Sequence, residues 1–597
     1  MFTWDPRDLN PEQVTAITKY ESVFLRACPG SGKTRTLTYK IAYELERLRS
    51  SKQWVIAITY THRAADEIHE RVDNLGVDTS RLWVGTIHAF CLEWILKPYG
   101  IYHEALSRGF SVIDLHERDQ LLERLCEPFS SPKVTPWDCE FYCNADGYVL
   151  CSQEPRKHDA LHVILGKYFD SLLASRQIDF ELILYYGHQL VTQYPGICTV
   201  LSQLFSHVLV DEYQDTRMIQ YAIIASILKA GHGATKAFIV GDPNQAIYTS
   251  LGGQAIPVGE FRAMAGIELT ELTLSKNYRS SQRIIGYFSN YQSGASPIEA
   301  FSEHKGYASH ISFNTTVPKH ALEAEIERLL SYSIKTVGIA PREICVLAPQ
   351  WTQLASMTRR LVASMPEYEF DGPGMVPFAR DPDNFWYKLA KIALTRASPS
   401  LYVRRLRWAG DVLAHMDLAG MNVSALTRSV VLRECNMIEI SESDGLHYLE
   451  QFFAAFFARL GTEIGASGAL QDHHTAFFQS SQIRIDRMKK DGAALIGDIS
   501  AFRKVFQSRT GITISTIHGI KGAEFDTVIA YALLENMVPH FRDPAGQESA
   551  RKLLYVISSR ARKHLHLLSE RGRYYGKREE YQPTQMLANC QFTYDVI

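Results

Sequence analysis

The stretch VFLRACPGSGKTRTL, residues 23–37, predicts a β-strand, a glycine-rich turn and the start of a helix. Backbone N–H groups of residues 28–34 can surround phosphate oxygens, and the helix N-terminus adds its positive dipole. Lys33 is placed to reach the outer phosphates, and the Thr34 hydroxyl is placed to bind Mg²⁺. Ala27 stands where the commonest form of this turn has its first glycine. The stretch predicts a nucleoside triphosphate site on an α/β sheet.

A second strand, HVLVDEYQDT at residues 207–216, ends in two adjacent carboxylates. Ligands of parallel sheets bind where the strands end, so both carboxylates are expected beside the phosphate turn. Asp211 is predicted to hold Mg²⁺, directly or through water, and Glu212 to polarise the attacking water. A carboxylate pair after a strand is by itself more typical of a solvated loop. Together with the glycine-rich turn, it predicts hydrolysis and not binding alone.

Two further segments repeat the pattern of a strand followed by a polar turn. KAFIVGDPNQAIY (236–248) places Gln245 in such a turn, where its amide can donate to a γ-phosphate and accept from water. WVIAITYTHRAADEIHERV (54–72) continues into an amphipathic helix with Thr61 as its N-cap. Repeated strand–turn–helix units predict a parallel α/β sheet.

The segment ESARKLLYVISSRARKHLHLL, residues 548–568, predicts a helix that runs into an apolar strand. Its periodicity places Arg560 at the edge of the buried stripe, two turns after Leu553, whereas Tyr555 falls on a side that can face solvent. An unpaired guanidinium in a buried position is strongly disfavoured. Arg560 therefore predicts either a carboxylate partner or a bound ligand.

Composition limits the class of protein. The 597 residues carry a formal net charge of −2, so a polyanion site has to be a local concentration of charge or of backbone amides. The N-terminus, MFTWDPRDLN, lacks a charged lead, and no apolar run approaches about 18 residues, which predicts a soluble cytoplasmic protein without a signal peptide. Ten irregularly spaced cysteines predict reduced thiols. Whether Cys139, Cys143 and Cys151 bind a metal stays open, although their spacing matches no common zinc site.

Nine motifs, in order along the chain, resemble those of the UvrD/Rep family of superfamily 1 helicases. LNPEQVTAI (9–17) resembles the adenine-reading motif, ACPGSGKT (27–34) the phosphate-binding motif and VDEYQDT (210–216) the Walker B motif. The other matches are TYTHRAADEI (59–68), VGTIHAFC (84–91), GDPNQAIY (241–248), LSKNYRSS (274–281), ISTIHGIKGAEFDTV (514–528) and YVISSRARK (555–563).

The resemblance implies a fold of two RecA-like domains, each with a parallel sheet and a mainly helical insertion. The nucleotide is expected in the cleft between them. The first domain is expected at 1–89 and 180–275 and the second at 276–375 and 505–597, with insertions at 90–179 and 376–504. Both insertions look modest, and the short chain after the last motif leaves no room for an appended nuclease domain.

The resemblance also implies roles at the nucleotide. Gln13 is expected to hydrogen-bond adenine, and Tyr278 and Arg35 to sandwich its ring. Glu524 is expected to contact the ribose. Arg279 and Arg560 should approach the γ-phosphate, with a structural salt bridge as the alternative role of Arg560. The implied phosphate-turn residues are Ala27, Cys28, Pro29, Gly30, Ser31, Gly32, Lys33 and Thr34, and the implied catalytic residues are Lys33, Glu212, Gln245, Arg279 and Arg560.

For DNA, the implied contacts are Tyr60, Thr61, His88, Tyr248, Thr516, His518 and Lys521. Packing or capping is the alternative for each of them, and Lys521 can point at DNA or at the nucleotide. The sequence departs from the family at Ser250, where members usually carry an aromatic that stacks on a base. Tyr248 is the nearest aromatic that can take its place.

The leading interpretation is an ATP- and Mg²⁺-dependent 3′→5′ translocase that acts on single-stranded and tailed duplex DNA, in repair or phage defence, away from membranes. Its polarity comes only from the resemblance, and RNA is not excluded because backbone contacts carry little base information. The alternative is a DNA-sensing ATPase subunit of a larger complex, with a separate nuclease or repair protein as its partner. Ser250 and the modest insertions motivate that alternative.

Overall fold

The first sheet of the computed structural model is parallel and contains six strands. They are β1 (Val23–Ala27), β2 (Trp54–Thr59), β3 (Leu82–Thr86), β4 (Phe205–Val210), β5 (Lys236–Gly241) and β6 (Thr270–Leu274). Their order across the sheet is β6–β1–β5–β4–β2–β3. Because β1, β5 and β4 are neighbours, the turns that follow them meet at one edge. This brings together the three turns to which the sequence assigns phosphate, water and metal chemistry.

Four strands of a second sheet also pair in parallel. They are β7 (Ile311–Asn314), β8 (Ile344–Ala348), β9 (Phe525–Ala530) and β10 (Ala561–Leu568), in the order β7–β10–β9–β8. Strands β8, β9 and most of β10 are buried, as expected for a parallel sheet covered on both faces. The predicted α/β class with two parallel sheets is confirmed.

Short strands complete the β structure. An antiparallel hairpin joins Phe141–Cys143 to Tyr148–Leu150. The parallel pairs are Ser111–Val112 with Gln177–Ile178, Lys276–Asn277 with Glu299–Ala300, and Phe370–Asp371 with Ile512–Thr516; Tyr574–Tyr575 and Glu579–Glu580 pair antiparallel.

The α-helices are Pro11–Thr18, Lys33–Leu45, His62–Asp73, Ile87–Phe90, Lys97–Tyr99, Leu115–Cys126, Pro155–Ser175, Phe180–Gln193, Pro195–Leu204, Met218–Ala230, Val258–Ala265, Gln282–Ser289, Leu322–Ser331, Trp351–Ser364, Phe385–Ala393, Tyr402–Leu418, Arg428–Asn436, Gly445–Arg459, Gly468–Lys490, Ile499–Lys504, Gln547–Ser559 and Gln585–Ala588. Single π-helical segments, Cys91–Leu96 and Tyr332–Thr336, extend two of them. The helix predicted after residue 61 begins as expected, since the Thr61 hydroxyl accepts from the amide of Ala64 at 3.1 Å.

The chain divides into two units. One comprises Met1–Val112, Leu122–Gln350 and Ser515–Ile597, and the other Ile113–Leu121 and Trp351–Ile514. The structure describes residues 2–597 apart from 250–251, 295–296, 373–375, 379–380, 382–383, 462–467, 491–493, 508–509, 542, 544 and 576–578. The first unit holds both sets of parallel strands and all predicted site residues, and the second has its own aromatic-rich helical core around Trp386, Phe453 and Phe456. The predicted domain boundaries stay a prediction.

Candidate nucleotide site and nucleic-acid surface

The predicted phosphate turn connects β1 to the helix Lys33–Leu45. Gly30 and Gly32 have φ angles of 68° and 80°, the left-handed region in which a side chain is strained. A Cβ atom on Gly32 would lie 2.7 Å from Nε2 of Gln13, and one on Gly30 would lie 2.6 Å from Cβ of Arg279. The turn therefore needs glycine at both positions for backbone angle and for space.

The backbone amides of this turn are not all available to a phosphate. Cys28 donates its N–H to the carbonyl of Leu274 at 3.1 Å, and Ser31 donates to the carbonyl of Cys28 at 3.3 Å. Pro29 has no N–H group. The expected role of phosphate donor therefore rests on the amides of Gly30 and of residues 32–34, with Lys33 and Thr34 opening the helix.

Gln13 and Tyr278, two of the residues predicted to bind adenine, both contact Asn10. The buried Gln13 side chain donates to the carbonyl of Ser31 at 3.0 Å and accepts from the amide of Asn10 at 2.9 Å. The Tyr278 hydroxyl accepts from the Asn10 side chain at 2.7 Å, and the Tyr278 amide donates to the carbonyl of Gly30 at 2.8 Å. These hydrogen bonds connect the start of the helix Pro11–Thr18 to the phosphate turn.

Arg35 and Glu524, the other two residues predicted to bind the nucleotide, each form a salt bridge. Arg35 donates to Asp8 at 2.9 Å. Glu524 accepts from Arg279 at 2.7 Å, and Arg279 and Arg562 lower its pKa against the opposing effect of burial. Among the described residues, no hydrogen bond or ring contact joins Arg35 to Tyr278, and their predicted sandwich of adenine stays a prediction.

Asp211, predicted to hold Mg²⁺, and Glu212, predicted to polarise the attacking water, follow β4, and their pKa values shift in opposite directions. Glu212 has a left-handed backbone, with φ of 52°, and its Oε1 lies 4.0 Å from Nζ of Lys33. Burial and the charge of Glu212 raise the pKa of Asp211. Lys33 and Lys521 outweigh burial and lower the pKa of Glu212, which also accepts from Gln214. Glu212 is therefore the ionised member of the pair at neutral pH.

The residues predicted to hold Mg²⁺ fit that ion by their chemistry. The Asp211 carboxyl and the Thr34 hydroxyl offer the oxygen ligands that Mg²⁺ prefers. Burial and the neighbouring charge of Glu212 raise the pKa of Asp211 in spite of Lys33, and a divalent cation would stabilise the ionised carboxylate in place of a proton.

Gln245 and Arg560 meet inside the site. Gln245 donates its amide to Asp242 at 2.7 Å, and its carbonyl oxygen accepts from the guanidinium of Arg560. Arg560 is only 2% exposed and donates further to the carbonyls of Ala523 and Val556, both at 3.3 Å. In the described part of the chain it forms no salt bridge, so its direct partners are neutral.

The charge of Arg560 is nevertheless retained. Burial, reinforced by Arg279, lowers the pKa of Arg560 to about 9, with Glu212 and Asp242 opposing the shift. The guanidinium is therefore still cationic at neutral pH. The position of Tyr555 corrects one expectation: it is 1% exposed, packs against Phe288 and does not face solvent, because the helix Gln547–Ser559 is covered on both sides.

Four of the residues predicted to bind DNA lie together. The rings of Tyr60 and Tyr248 are 5.0 Å apart at 30°, and the rings of Tyr248 and His518 are 5.4 Å apart. Nζ of Lys521 lies 5.2 Å from the centre of the Tyr248 ring. His518 contacts the carbonyl of Ile247 at 3.2 Å, and burial lowers its pKa. The group offers aromatic faces beside a cation.

The other three predicted DNA residues have local partners. Thr61 caps its helix, and the Thr516 hydroxyl accepts from the amide of Gly519 at 3.0 Å. The His88 ring packs edge-on against Phe180 at 5.8 Å, and burial lowers the pKa of His88 to about 4. His88 is therefore neutral at physiological pH and cannot attract phosphate as a cation.

Two family models match the chain. The UvrD/REP helicase N-terminal domain matches residues 9–256, and the UvrD-like helicase C-terminal domain matches residues 499–571. The chain is 24% identical to ATP-dependent DNA helicase UvrD1 of Mycobacterium leprae over 94% of its own length and 82% of that protein. It is 24% identical to DNA helicase II of Haemophilus influenzae and 23% identical to ATP-dependent DNA helicase PcrA of Bacillus subtilis, over 94% and 95% of its length and 83% of each relative.

The chain belongs to the UvrD/Rep family of superfamily 1 helicases. The matched ranges contain every residue assigned above to the phosphate turn, the carboxylate pair, Gln245 and Arg560. They also contain all seven residues predicted to bind DNA. The matched segments therefore hold most of both candidate sites, whereas Tyr278 and Arg279 lie outside them.

Three further residues of this UvrD/Rep protein contact the site and were missed by the sequence analysis. Asp215 pairs with Lys521; burial raises the pKa of Asp215 to about 6 in spite of that cation. Asp242 orients Gln245, and Asn277 donates to the carbonyl of Pro29 at 2.6 Å. Each lies within a quoted motif, so proximity to a motif is the signal that could have found them.

Several other expectations concern the rest of the chain. In the described ranges, no group of three or more His, Cys, Asp or Glu side chains is arranged to hold a metal, and Cys139 instead lies 3.5 Å from Cys126, sulfur to sulfur. None of the described helices is long and apolar enough to cross a membrane. Ser250, where the family usually carries an aromatic, falls outside the described residues.

Proposed function

We propose that this chain moves 3′→5′ along single-stranded DNA and separates duplex DNA, driven by ATP hydrolysis with Mg²⁺, in DNA repair. Membership of the UvrD/Rep family makes it an ATP-hydrolysing DNA helicase. The direction of movement, the metal and the roles of single residues are proposals. The direction follows from family resemblance alone, and one observation carries the roles proposed at the γ-phosphate: the buried cation Arg560 donates to Gln245, in a turn beside Asp211 and Glu212.

Hydrolysis is assigned to the edge of the first sheet. The amides of the turn and Lys33 hold the phosphates; Asp211 and Thr34 would hold Mg²⁺, which would supply charge neutralisation when bound. Glu212 is ionised, so it can accept a proton from the attacking water. Adenine and ribose contacts are proposed for Gln13, Arg35, Tyr278 and Glu524.

Arg560 is proposed to sense the γ-phosphate. Its present acceptor is the neutral amide oxygen of Gln245, and charge-assisted hydrogen bonds to a phosphate are stronger than those to a neutral group. A γ-phosphate would therefore compete for the guanidinium, with Arg279 also within reach of the site. A contact made only in the triphosphate state can couple hydrolysis to a change of conformation.

The DNA strand is proposed to lie over the group formed by Tyr60, Tyr248, His518 and Lys521. Aromatic faces accept any base, and cations beside them meet the backbone. The net charge of −2 makes such a local site necessary. Lys521 pairs with Asp215 next to the carboxylates, and we propose that it links the DNA and nucleotide sites.

Two substitutions test the nucleotide assignments. Lys33→Ala is expected to abolish ATP hydrolysis, and Glu212→Gln to slow it by about 10²- to 10⁴-fold while ATP still binds. The measurement is steady-state ATPase rate with and without single-stranded DNA, together with binding of a fluorescent ATP analogue.

Matched controls come from the same sheet. Lys236→Ala changes a lysine at the start of β5, and Glu271→Gln changes an exposed glutamate on β6. Both are expected to leave the rates unchanged. Normal turnover in Lys33→Ala would refute the phosphate site, and normal turnover in Glu212→Gln would remove the proposed base. The alternative of a DNA-sensing subunit beside a nuclease or in phage defence has no support among the relatives, and we do not propose it.

A further inference from the structure

The antiparallel hairpin Phe141–Leu150, called the hairpin below, consists of the strands Phe141–Cys143 and Tyr148–Leu150. Its residue Tyr142 points away from the buried side of the hairpin. Phe141 and Cys143 are buried, and Phe141 packs edge-on against Phe169 with ring centres 5.3 Å apart. Because side chains alternate along a strand, Tyr142 points to the opposite face, where it is half-buried. In the described part of the chain its hydroxyl forms no hydrogen bond, so the ring is not held there by a polar contact.

Tyr142 lies against two segments that follow strands of the first sheet. A Cβ atom on Gly252 would be 3.3 Å from Cε2 of Tyr142, which places the ring directly beside that backbone. The guanidinium carbon of Arg217 lies 6.0 Å from the ring centre. Arg217 and Gly253 form an isolated bridge, so both segments meet under the hairpin.

One carboxylate holds this arrangement. Glu181 accepts two hydrogen bonds from Arg217, at 2.6 Å and 2.9 Å, and a third from the amide of Cys143 at 2.9 Å. Bidentate carboxylate–guanidinium pairs fix geometry as well as charge. Glu181 therefore fixes both the cation beside the Tyr142 ring and the hairpin backbone next to Tyr142.

The arrangement adjoins the predicted DNA surface. Burial raises the pKa of Tyr60 to about 12, and the charge of Arg217 opposes that shift. Glu181 and Arg217 likewise act on His88, whose ring contacts Phe180, the neighbour of Glu181. The amide of Gly253, which bridges to Arg217, donates to the carbonyl of Tyr248 at 3.0 Å, so the segment beside Tyr142 is bonded directly to the predicted DNA surface.

We propose that Tyr142 is a base-stacking residue of the single-stranded DNA site, with Arg217 and Glu181 as its positioning residues. The inference rests on the proposed function. A half-buried ring beside a cation offers an aromatic face for a base of any identity. It supplies an aromatic ring beside the backbone of Gly252 and the guanidinium of Arg217.

Binding of a fluorescein-labelled oligothymidine to the full chain tests this proposal. Tyr142→Ala is expected to weaken binding by about 5- to 150-fold, the range for loss of one stacked base. Tyr142→Phe keeps the ring and is expected to stay within about twofold of the unsubstituted chain. Tyr20→Ala is the control: Tyr20 is an exposed tyrosine that also lies beside a cation, its ring centre 5.0 Å from Nζ of Lys236, where β5 begins.

A 2-aminopurine scan separates stacking from folding. A single 2-aminopurine is moved along the oligonucleotide, and one position is expected to be quenched by the unsubstituted chain and by Tyr142→Phe, but not by Tyr142→Ala. Glu181→Gln weakens the pair with Arg217 and is expected to reduce this quenching in part. Melting temperatures show whether each variant is folded.

The outcomes are distinguishable. If the unsubstituted chain does not bind the oligonucleotide, the proposed function itself fails. If it binds and Tyr142→Ala binds and quenches equally well, Tyr142 does not stack on a base and the inference is overturned. Equal loss of binding in Tyr142→Ala and Tyr142→Phe would also overturn it, because the aromatic ring would then not be the group that matters.

Discussion

Arg560 is the residue whose removal is expected to cost the most catalytic rate. Arg560→Ala should lower the DNA-stimulated ATPase rate constant by about 10³- to 10⁵-fold, the effect of removing an arginine that stabilises charge on a transferring phosphoryl group. Arg560→Lys should recover little of this, since an ammonium group lacks the planar fork. The measurement is steady-state turnover at saturating ATP and single-stranded DNA.

If Arg560 were only a structural residue, its removal would affect stability and not turnover. Since its direct partners are neutral in the described part of the chain, removing it should lower the melting temperature little while turnover collapses. Arg328→Ala, which removes a half-exposed arginine paired with Glu325, is the control and should change neither. Turnover of Arg560→Ala close to that of the unsubstituted chain, or a large loss of stability without loss of turnover per folded molecule, would contradict the account.

For single residues, the sequence predicted which charged side chains lie in the site, but it did not predict which residues they contact. Lys33 opens a helix, Glu212 follows a strand and Arg560 follows a helix. A charged side chain next to a buried segment is conspicuous in the sequence. Asp215 was missed because its partner, Lys521, lies 306 residues away along the chain. A buried acid of this kind looks like any polar turn residue until the fold brings a cation to it.

Strand β10 carries a feature that no motif indicates. His564 and His566 point to one face of the strand, and burial lowers their pKa to about 4 and about 3. His310 lowers the pKa of both histidines further, and Arg328 lowers that of His566 as well. Asp595 has the opposite effect and raises both pKa values. The Tyr307 hydroxyl is within 3.0 Å of His564, and Ser312 within 2.9 Å of His566.

Acid is therefore expected to destabilise this strand. The folded state binds fewer protons than the unfolded state at these histidines, so their stability contribution is complete above the ordinary value of 6.5. It is lost as pH falls from there through about 4 and about 3, by about 1.4 kcal/mol for each unit of pKa difference. His566→Gln should make the fall in melting temperature between neutral pH and about pH 5 shallower.

The readout is the slope of melting temperature against pH and not the stability at neutral pH. A substitution at the buried His566 can change the neutral-pH stability through packing as well. His320→Gln, in an exposed position, should keep the slope of the unsubstituted chain. The same slope in His566→Gln as in the unsubstituted chain would show that His566 does not titrate on unfolding.

Among elements, the helix Gln547–Ser559 shows where periodicity fails. Its existence and its apolar stripe are evident from the sequence, but Tyr555 lies opposite that stripe and is buried all the same. Periodicity identifies the more apolar face and cannot show that a second layer covers the other one. The Thr61 cap was predictable because capping depends only on residues within one turn.

For the whole molecule, the motifs predict the two parallel sheets and much less of the second unit. Most motifs lie at the end of a strand, so they place strands along the chain, but the order of those strands across each sheet is not evident from them. The second unit's helices, packed around Trp386 and Phe453, carry only the general signal of helical periodicity. Their packing depends on aromatic contacts between distant segments, such as Trp386 with Phe457 at 5.5 Å, which no local pattern encodes.

The net charge of −2 also belongs to this scale, because it leaves the protein without an overall field to attract DNA. Binding then depends on local groups: the aromatic and cationic cluster around Tyr248 and, by our inference, Tyr142. Together with the buried contact between Arg560 and Gln245, they form the proposed path from nucleotide to strand.

The most direct test is strand separation on two duplexes that differ only in the polarity of a single-stranded tail, with ATPase followed in parallel. We expect separation of the 3′-tailed duplex with ATP and Mg²⁺, none without ATP, none by Lys33→Ala, and little for the 5′-tailed duplex. Preference for the 5′ tail would contradict the proposed direction. DNA-stimulated hydrolysis without separation of either duplex would contradict the central claim that this chain is itself a helicase.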